Sequence, residues 1–142
     1  MDNQRKNKSR RGTTIVETAI VLPLLLILSF GIIKYGWLFL KSQQITNAAR
    51  QVARVAIRPD DRSSEASAMF TALMDNAGIT GAVLTVTPDY EFQSAGGIVT
   101  VKVVVDTAKV DILKLEGPYL GLPAPAELGA EVIMSKEGQV AN

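Results

Sequence analysis

Residues 10–58 read RRGTTIVETAIVLPLLLILSFGIIKYGWLFLKSQQITNAARQVARVAIR, and the fold turns on this stretch. From Thr13 to Leu40 only Glu17 and Lys34 are charged. About 20 apolar residues suffice to cross roughly 30 Å of hydrocarbon. The segment Thr18 to Leu40 exceeds that length with one lysine near its far end, where a long side chain reaches toward water. Tyr35 and Trp37 flank that lysine as interfacial aromatics do. The run is too long and too apolar all round for the core helix of so small a domain. A cleaved secretory signal fits poorly, because the apolar run exceeds 7–15 residues and no small-x-small site follows at the expected distance. Residues 13–40 are therefore read as a retained transmembrane helix. Pro23 predicts a slight bend, and Gly31 and Gly36 local softness.

Outward from the span, both flanks are informative. Residues 1–11 hold Arg5, Lys6, Lys8, Arg10 and Arg11 against Asp2 alone, while the remaining residues carry ten Lys/Arg and thirteen Asp/Glu. A basic run before a span places the N-terminus in the cytoplasm and all that follows the span outside it. Positive charge confined to a polar tail also speaks against a nucleic-acid-binding domain. On the other flank, Ile45, Ala48, Ala49, Val52, Val55 and Ala56 recur at helical spacing, so residues 41–58 continue the helix as an amphipathic segment that Pro59 closes. Arg50, Arg54 and Arg58 form a ridge on another face, read as a solvated or ion-pairing surface, with a subunit contact as the alternative.

Residues 59–142 are read as an extracytoplasmic α+β head. Ser63 or Ser64 is a candidate N-cap for a second helix carrying Ala66, Met69, Phe70, Leu73, Met74 and Ala77, ended by Gly78. The period then changes to two. Val83 to Thr87 is a strand, and Ile98 to Asp106 is the strongest one, with Val99, Val101, Val103 and Val105 on one face. Tyr90 to Phe92 is assigned to a preceding strand, with a turn at Ser94 to Gly97, and Leu128 to Ser135 is the last strand. The fold class is thus a long N-terminal transmembrane and amphipathic helix with a second short helix and a small antiparallel sheet.

The costly residue is Glu17, four positions inside the apolar run. A carboxylate within the bilayer costs about 2.5–3.5 kcal/mol on insertion scales, so its neutralising partner matters. Arg10 and Arg11 are one source. The other is a cut after Gly12, which would give Thr13 a new α-amino group, with Glu17 its i+4 neighbour or that of an adjacent subunit's amine. A basic leader ending in Gly, four residues, Glu and an apolar helix resembles a type IV prepilin. More closely, Arg11-Gly12, Val16-Glu17, Leu22-Pro23, the Asn47-Ala48-Ala49-Arg50 run and Ala53-Arg54 resemble the TadE-like pseudopilins of tight-adherence (Flp) pilus systems. The likeness covers residues 10–58 well and 127–137 weakly, and Thr18 stands where the family often has an aromatic or apolar residue. The resemblance implies a leader 1–12 cut between Gly12 and Thr13 by a prepilin peptidase, with Glu17 as the acid for processing and subunit registry. It implies helix packing through Pro23, Asn47, Ala48, Ala49, Arg50 and Arg54. The implied partners are other pilin and pseudopilin subunits, the peptidase and an inner-membrane assembly platform, in pilus assembly or initiation. The alternative is an uncleaved, signal-anchored protein whose head binds a ligand or partner.

An enzyme is not expected. Cysteine and histidine are absent, which removes thiol chemistry, the commonest general base and the commonest zinc ligand. The acidic groupings Asp60-Asp61, Asp89 with Glu91, and Asp106 with Asp111 fall at expected loops or strand ends. Gly96-Gly97 lacks the Lys-Ser/Thr of a phosphate loop. No cofactor is expected. The loop acids leave a Ca2+ site open, though their spacing does not match an EF-hand.

Overall fold

The computed structural model describes residues 6–58, 63–87, 97–113 and 121–135. Helix α1 runs from Lys6 to Ala56, 51 residues, or about 77 Å at 1.5 Å per residue. Helix α2 spans Ser63–Asn76. Strands β1 (Val83–Thr87), β2 (Ile98–Asp106) and β3 (Glu127–Ser135) form one antiparallel sheet in the order β1-β2-β3. A single turn of helix, α3 (Thr107–Val110), follows β2 directly. The α+β class read from the sequence is what the chain adopts. The suggested strand at Tyr90–Phe92, most of the following turn, Pro59 and Asp60-Asp61 lie outside the described residues.

The sheet assembles by its two-residue period. Val101 of β2 faces Val86 on one side and Val132 on the other, and Val103 likewise faces Leu84 and Ala130. Val99, Val101, Val103 and Val105 are buried, and Leu128, Ala130, Val132 and Met134 pack beside them. Alternate residues, among them Thr85, Lys102 and Glu131, which oppose one another across the strands, stand on the open face. The inner face lies against α1, α2 packs on α1, and the buried residues Ile45, Ala49, Val52, Ala66, Phe70 and Met74 of these helices complete the core.

The end of α2 is a Schellman motif. Gly78 adopts φ +61, Gly78 N–H donates to Asp75 O at 3.0 Å, and Ile79 N–H donates to Met74 O at 2.9 Å. Glycine at this position escapes the Cβ penalty of positive φ. The turn drives Ile79 into the core, where it is 2% exposed.

Candidate functional site: the open half of the long helix and its junction with the head

Every residue from Gly12 to Phe30 is exposed. The side chains there include Ile15, Val16, Ile20, Leu22, Leu24 to Leu28 and Phe30. This is the one helix among the described residues that is long and apolar enough to cross a membrane. Glu17 projects from it with no ion-pair partner among the described residues. Neighbouring hydroxyls are satisfied within the helix: Thr18 Oγ1 donates to Thr14 O at 2.9 Å and Ser29 Oγ to Leu25 O at 2.8 Å. Such back-bonds let hydroxyl side chains sit in an apolar medium without an orphan donor. Thr18 therefore adds little polarity beside Glu17.

The helix does not begin after Gly12, as the sequence suggested, but six residues before it. Residues 6–11, KNKSRR, are mostly good helix formers, and one interior glycine costs about 1 kcal/mol relative to alanine. Nothing lies within 4 Å of where a Cβ on Gly12 would stand. Arg10 and Arg11 lie in the first turns of α1, and their side chains fall outside the described residues. The helix is continuous through Pro23, Gly31 and Gly36. Pro23 has no N–H for the carbonyl of Ala19, and it borders a shallow groove with Thr14, Ile15, Thr18, Ala19 and Leu22.

From Lys34 onward one stripe of α1 is covered. Lys34, Leu38, Lys41, Ile45, Ala48, Val52 and Val55 are all buried, at alternating spacings of four and three. Two lysines on a core stripe demand partners, and both have them. Lys34 Nζ pairs with Asp111 Oδ2 at 3.1 Å and donates to Leu122 O at 3.2 Å. Lys41 Nζ donates to Ala77 O, the last carbonyls of α2 being where a cation is favoured, and lies 4.7 Å from the centre of the Trp37 ring. Trp37 Nε1 in turn donates to Val110 O at 2.8 Å, and Tyr35 OH to Pro123 O at 2.7 Å. Lys34, Tyr35 and Trp37 thus clamp the connection between β2 and β3 onto α1. Reading Lys34 as a side chain reaching for water is overturned by this geometry, because the head supplies a carboxylate and a carbonyl closer than solvent. Asp111, expected as a solvated loop acid, has a side chain only 8% exposed for the same reason. The missed signal was the alternating spacing, which extends the Ile45 stripe back through Lys41 to Lys34.

The Asn47–Arg50 run divides between two faces. Ala48 and Ala49 are buried, their small side chains admitting the head closely, while Asn47, Arg50 and Arg54 are exposed. Arg58 lies 3.9 Å from Glu65 in an exposed pair. A cavity of about 460 Å³ at the junction is bordered by Lys34, Asp106, Thr107, Asp111, Leu122 and Glu127. Two of its carboxylates are engaged: Asp111 by Lys34, and Asp106 as the cap accepting from Ala108 N–H at 2.9 Å. Among the described residues no group of three or more acidic, His or Cys side chains could hold a metal ion.

No curated protein and no solved structure matches this chain. Residues 12–54 match a family model described as TadE-like protein. The match takes in Gly12, Glu17, Pro23, the Asn47–Arg50 run and Arg54, and does not extend to the strand near 127–137. The likeness to TadE-like proteins therefore lies in the long helix α1, from Gly12 to Arg54.

Proposed function

We propose that this chain is a minor pilin of pseudopilin type, acting in assembly or initiation of a tight-adherence (Flp) pilus and not as an enzyme. It is made with a basic leader, residues 1–12, that a prepilin peptidase removes between Gly12 and Thr13. One span holds it in the bacterial inner membrane, N-terminus in the cytoplasm and head outside. The observation that carries this reading is Glu17: an exposed carboxylate without an ion-pair partner among the described residues, five residues after Gly12 on an apolar helix of TadE-like sequence.

Each feature has a physical use in that role. Proteolysis needs a locally unwound backbone, and Gly12 is the residue of its turn that gives up helix most cheaply. The cut creates a cation on Thr13 one turn from Glu17, or within reach of a neighbour's Glu17. A helix leaving lipid needs a replacement apolar surface, which pilin helices supply to one another. An unpaired charge buried in such a bundle costs several kcal/mol, so subunits settle where carboxylate meets amine.

The test is the intact mass of the membrane-extracted chain from cells with and without prepilin peptidase. Loss of residues 1–12 only where the peptidase is present is the expected result. A retained leader in both strains would leave an uncleaved anchored protein whose head binds a partner. Glu17→Ala should then abolish or strongly impair pilus formation with processing and insertion intact, and normal piliation would end the registry role.

A further inference from the structure

The base of the head is built to meet lipid. Residues 121–126, Gly-Leu-Pro-Ala-Pro-Ala, carry no charged or hydrogen-bonding side chain, and all but half-buried Leu122 are exposed. Leu122 packs toward the helix at Gly31, where an added Cβ would lie 4.0 Å from Leu122 Cδ1. Ile112, next to the Lys34 partner Asp111, is 55% exposed. The level of this base along α1 follows from length. Crossing about 30 Å of hydrocarbon takes about 20 helical residues, which counted from Arg11 ends at Gly31. Leu122 then stands where the helix leaves the hydrocarbon, short of the Leu40 end read from the apolar run, since from Lys34 onward one stripe of α1 is covered by the head.

The backbone of the base is prepared for that level as well. In a medium of low polarity each unpaired peptide group is costly. The carbonyls of Leu122, Pro123 and Ala126 accept from Lys34 Nζ, Tyr35 OH and Thr107 N–H at 3.2, 2.7 and 3.0 Å. Pro123 and Pro125 have no N–H to satisfy. Of the carboxylates bordering this level among the described residues, Asp111 is paired by Lys34 and Asp106 accepts from Ala108 N–H, while Glu127 is exposed at the edge where the segment turns into β3. Two α1 side chains and the Thr107 N–H thus engage three carbonyls of a segment whose own side chains are apolar.

We propose that the base of the head, Ile112 with residues 121–126, is a lipid-contacting surface seated in the headgroup region of the bilayer that the open half of α1 crosses. The inference rests on that membrane-crossing reading. It makes the head a domain docked on the membrane and not one held away from it on a stalk.

The chain has no cysteine, so single-cysteine variants of the full chain report one site each. Nitroxide would be attached to Ala124→Cys, Ile112→Cys, Thr85→Cys on the open sheet face, and Leu25→Cys in mid-span. Each variant would be reconstituted in phosphatidylcholine–phosphatidylglycerol vesicles, and its collision rates with oxygen and with a water-soluble nickel complex measured. For Ala124→Cys and Ile112→Cys the expected result is nickel collision severalfold below Thr85→Cys, with oxygen collision raised, as lipid contact requires. Nickel access equal to that of Thr85→Cys, with Leu25→Cys still shielded, would overturn the lipid surface and spare the span. Shielding from nickel and oxygen together would overturn it in favour of a protein cover. Free nickel access at Leu25→Cys would remove both the surface and the span beneath it.

Discussion

The two halves of α1 draw on the same apolar side chains and meet opposite surroundings. From Gly12 to Phe30 every face is open, whereas from Lys34 to Ala56 one stripe is sealed by the sheet and α2. Charge is handled differently too. In the sealed half each buried lysine is met by acceptors of the same chain, Lys34 by Asp111 and Leu122, Lys41 by Ala77. In the open half Glu17 has no ion-pair partner among the described residues. The sealed half is a completed interface. The open half leaves its apolar side chains and Glu17 without cover among the described residues.

The sharpest way to break this comparison is to remove a partner in the sealed half. Asp111→Ala leaves the Lys34 charge buried and unpaired, which should cost about 3–5 kcal/mol of head stability. Urea unfolding of the full chain in detergent, followed by the fluorescence of the single tryptophan, Trp37, measures it. The double variant Lys34→Met with Asp111→Leu should recover most of that loss, because two apolar groups leave no orphan charge. A single variant as stable as the parent would mean that Lys34 reaches water after all.

Deleting apolar volume compares the halves directly. Ile45 is fully buried, so Ile45→Ala should cost about 2–5 kcal/mol through lost transfer energy and a cavity. Leu25→Ala removes as many carbons from an exposed position, 54% accessible, and should leave the urea midpoint of the head unchanged. Equal losses would mean that the open half also packs on the head.

Legibility in the sequence follows the same division. Period alone carries the sheet face, since Val99, Val101, Val103 and Val105 can share a side only in a strand, and the Ile45-to-Ala56 stripe can share one only in a helix. Gly12 stands out in the sequence between Arg11 and Thr13, and Glu17 within an apolar run, and the structure leaves both exposed. The junction was not legible. Lys34, Tyr35 and Trp37 look the same to a local reading whether water or the head meets them. Their partners Asp111, Val110, Leu122 and Pro123 lie more than 70 residues away, in a connection without a repeating pattern. The start of α1 was misplaced for a related reason: a single glycine weakens a long helix without ending it.

A smaller effect is expected at Lys41, where a charge meets a carbonyl and a ring, with no carboxylate. Lys41→Met keeps the apolar stem and removes the hydrogen bond to Ala77 O, so the cost should be about 1–3 kcal/mol. The Schellman bonds at Gly78 and Ile79 remain to hold the end of α2, which is why the loss should stay below that of Asp111→Ala. Thermal unfolding of the two variants side by side ranks them, and the reverse order would place the main clamp at α2 instead of at Lys34.

The smallest effect belongs to Arg58, which sets the lower bound of the comparison. Its guanidinium lies 3.9 Å from Glu65, with the two side chains 53% and 46% exposed. Water screens such a pair, and holding two long side chains together offsets much of the attraction, so exposed pairs contribute about 0–1 kcal/mol. Arg58→Ala should therefore shift the urea midpoint barely, and high salt should erase what shift there is. It differs from Asp111→Ala less in charge than in burial, since each variant removes one member of an ion pair. If Arg58→Ala destabilised the head as strongly as Asp111→Ala, burial would not be what separates a structural ion pair from a solvated one here. The ridge of Arg50, Arg54 and Arg58 would then belong to the packing of the head and not to its open surface.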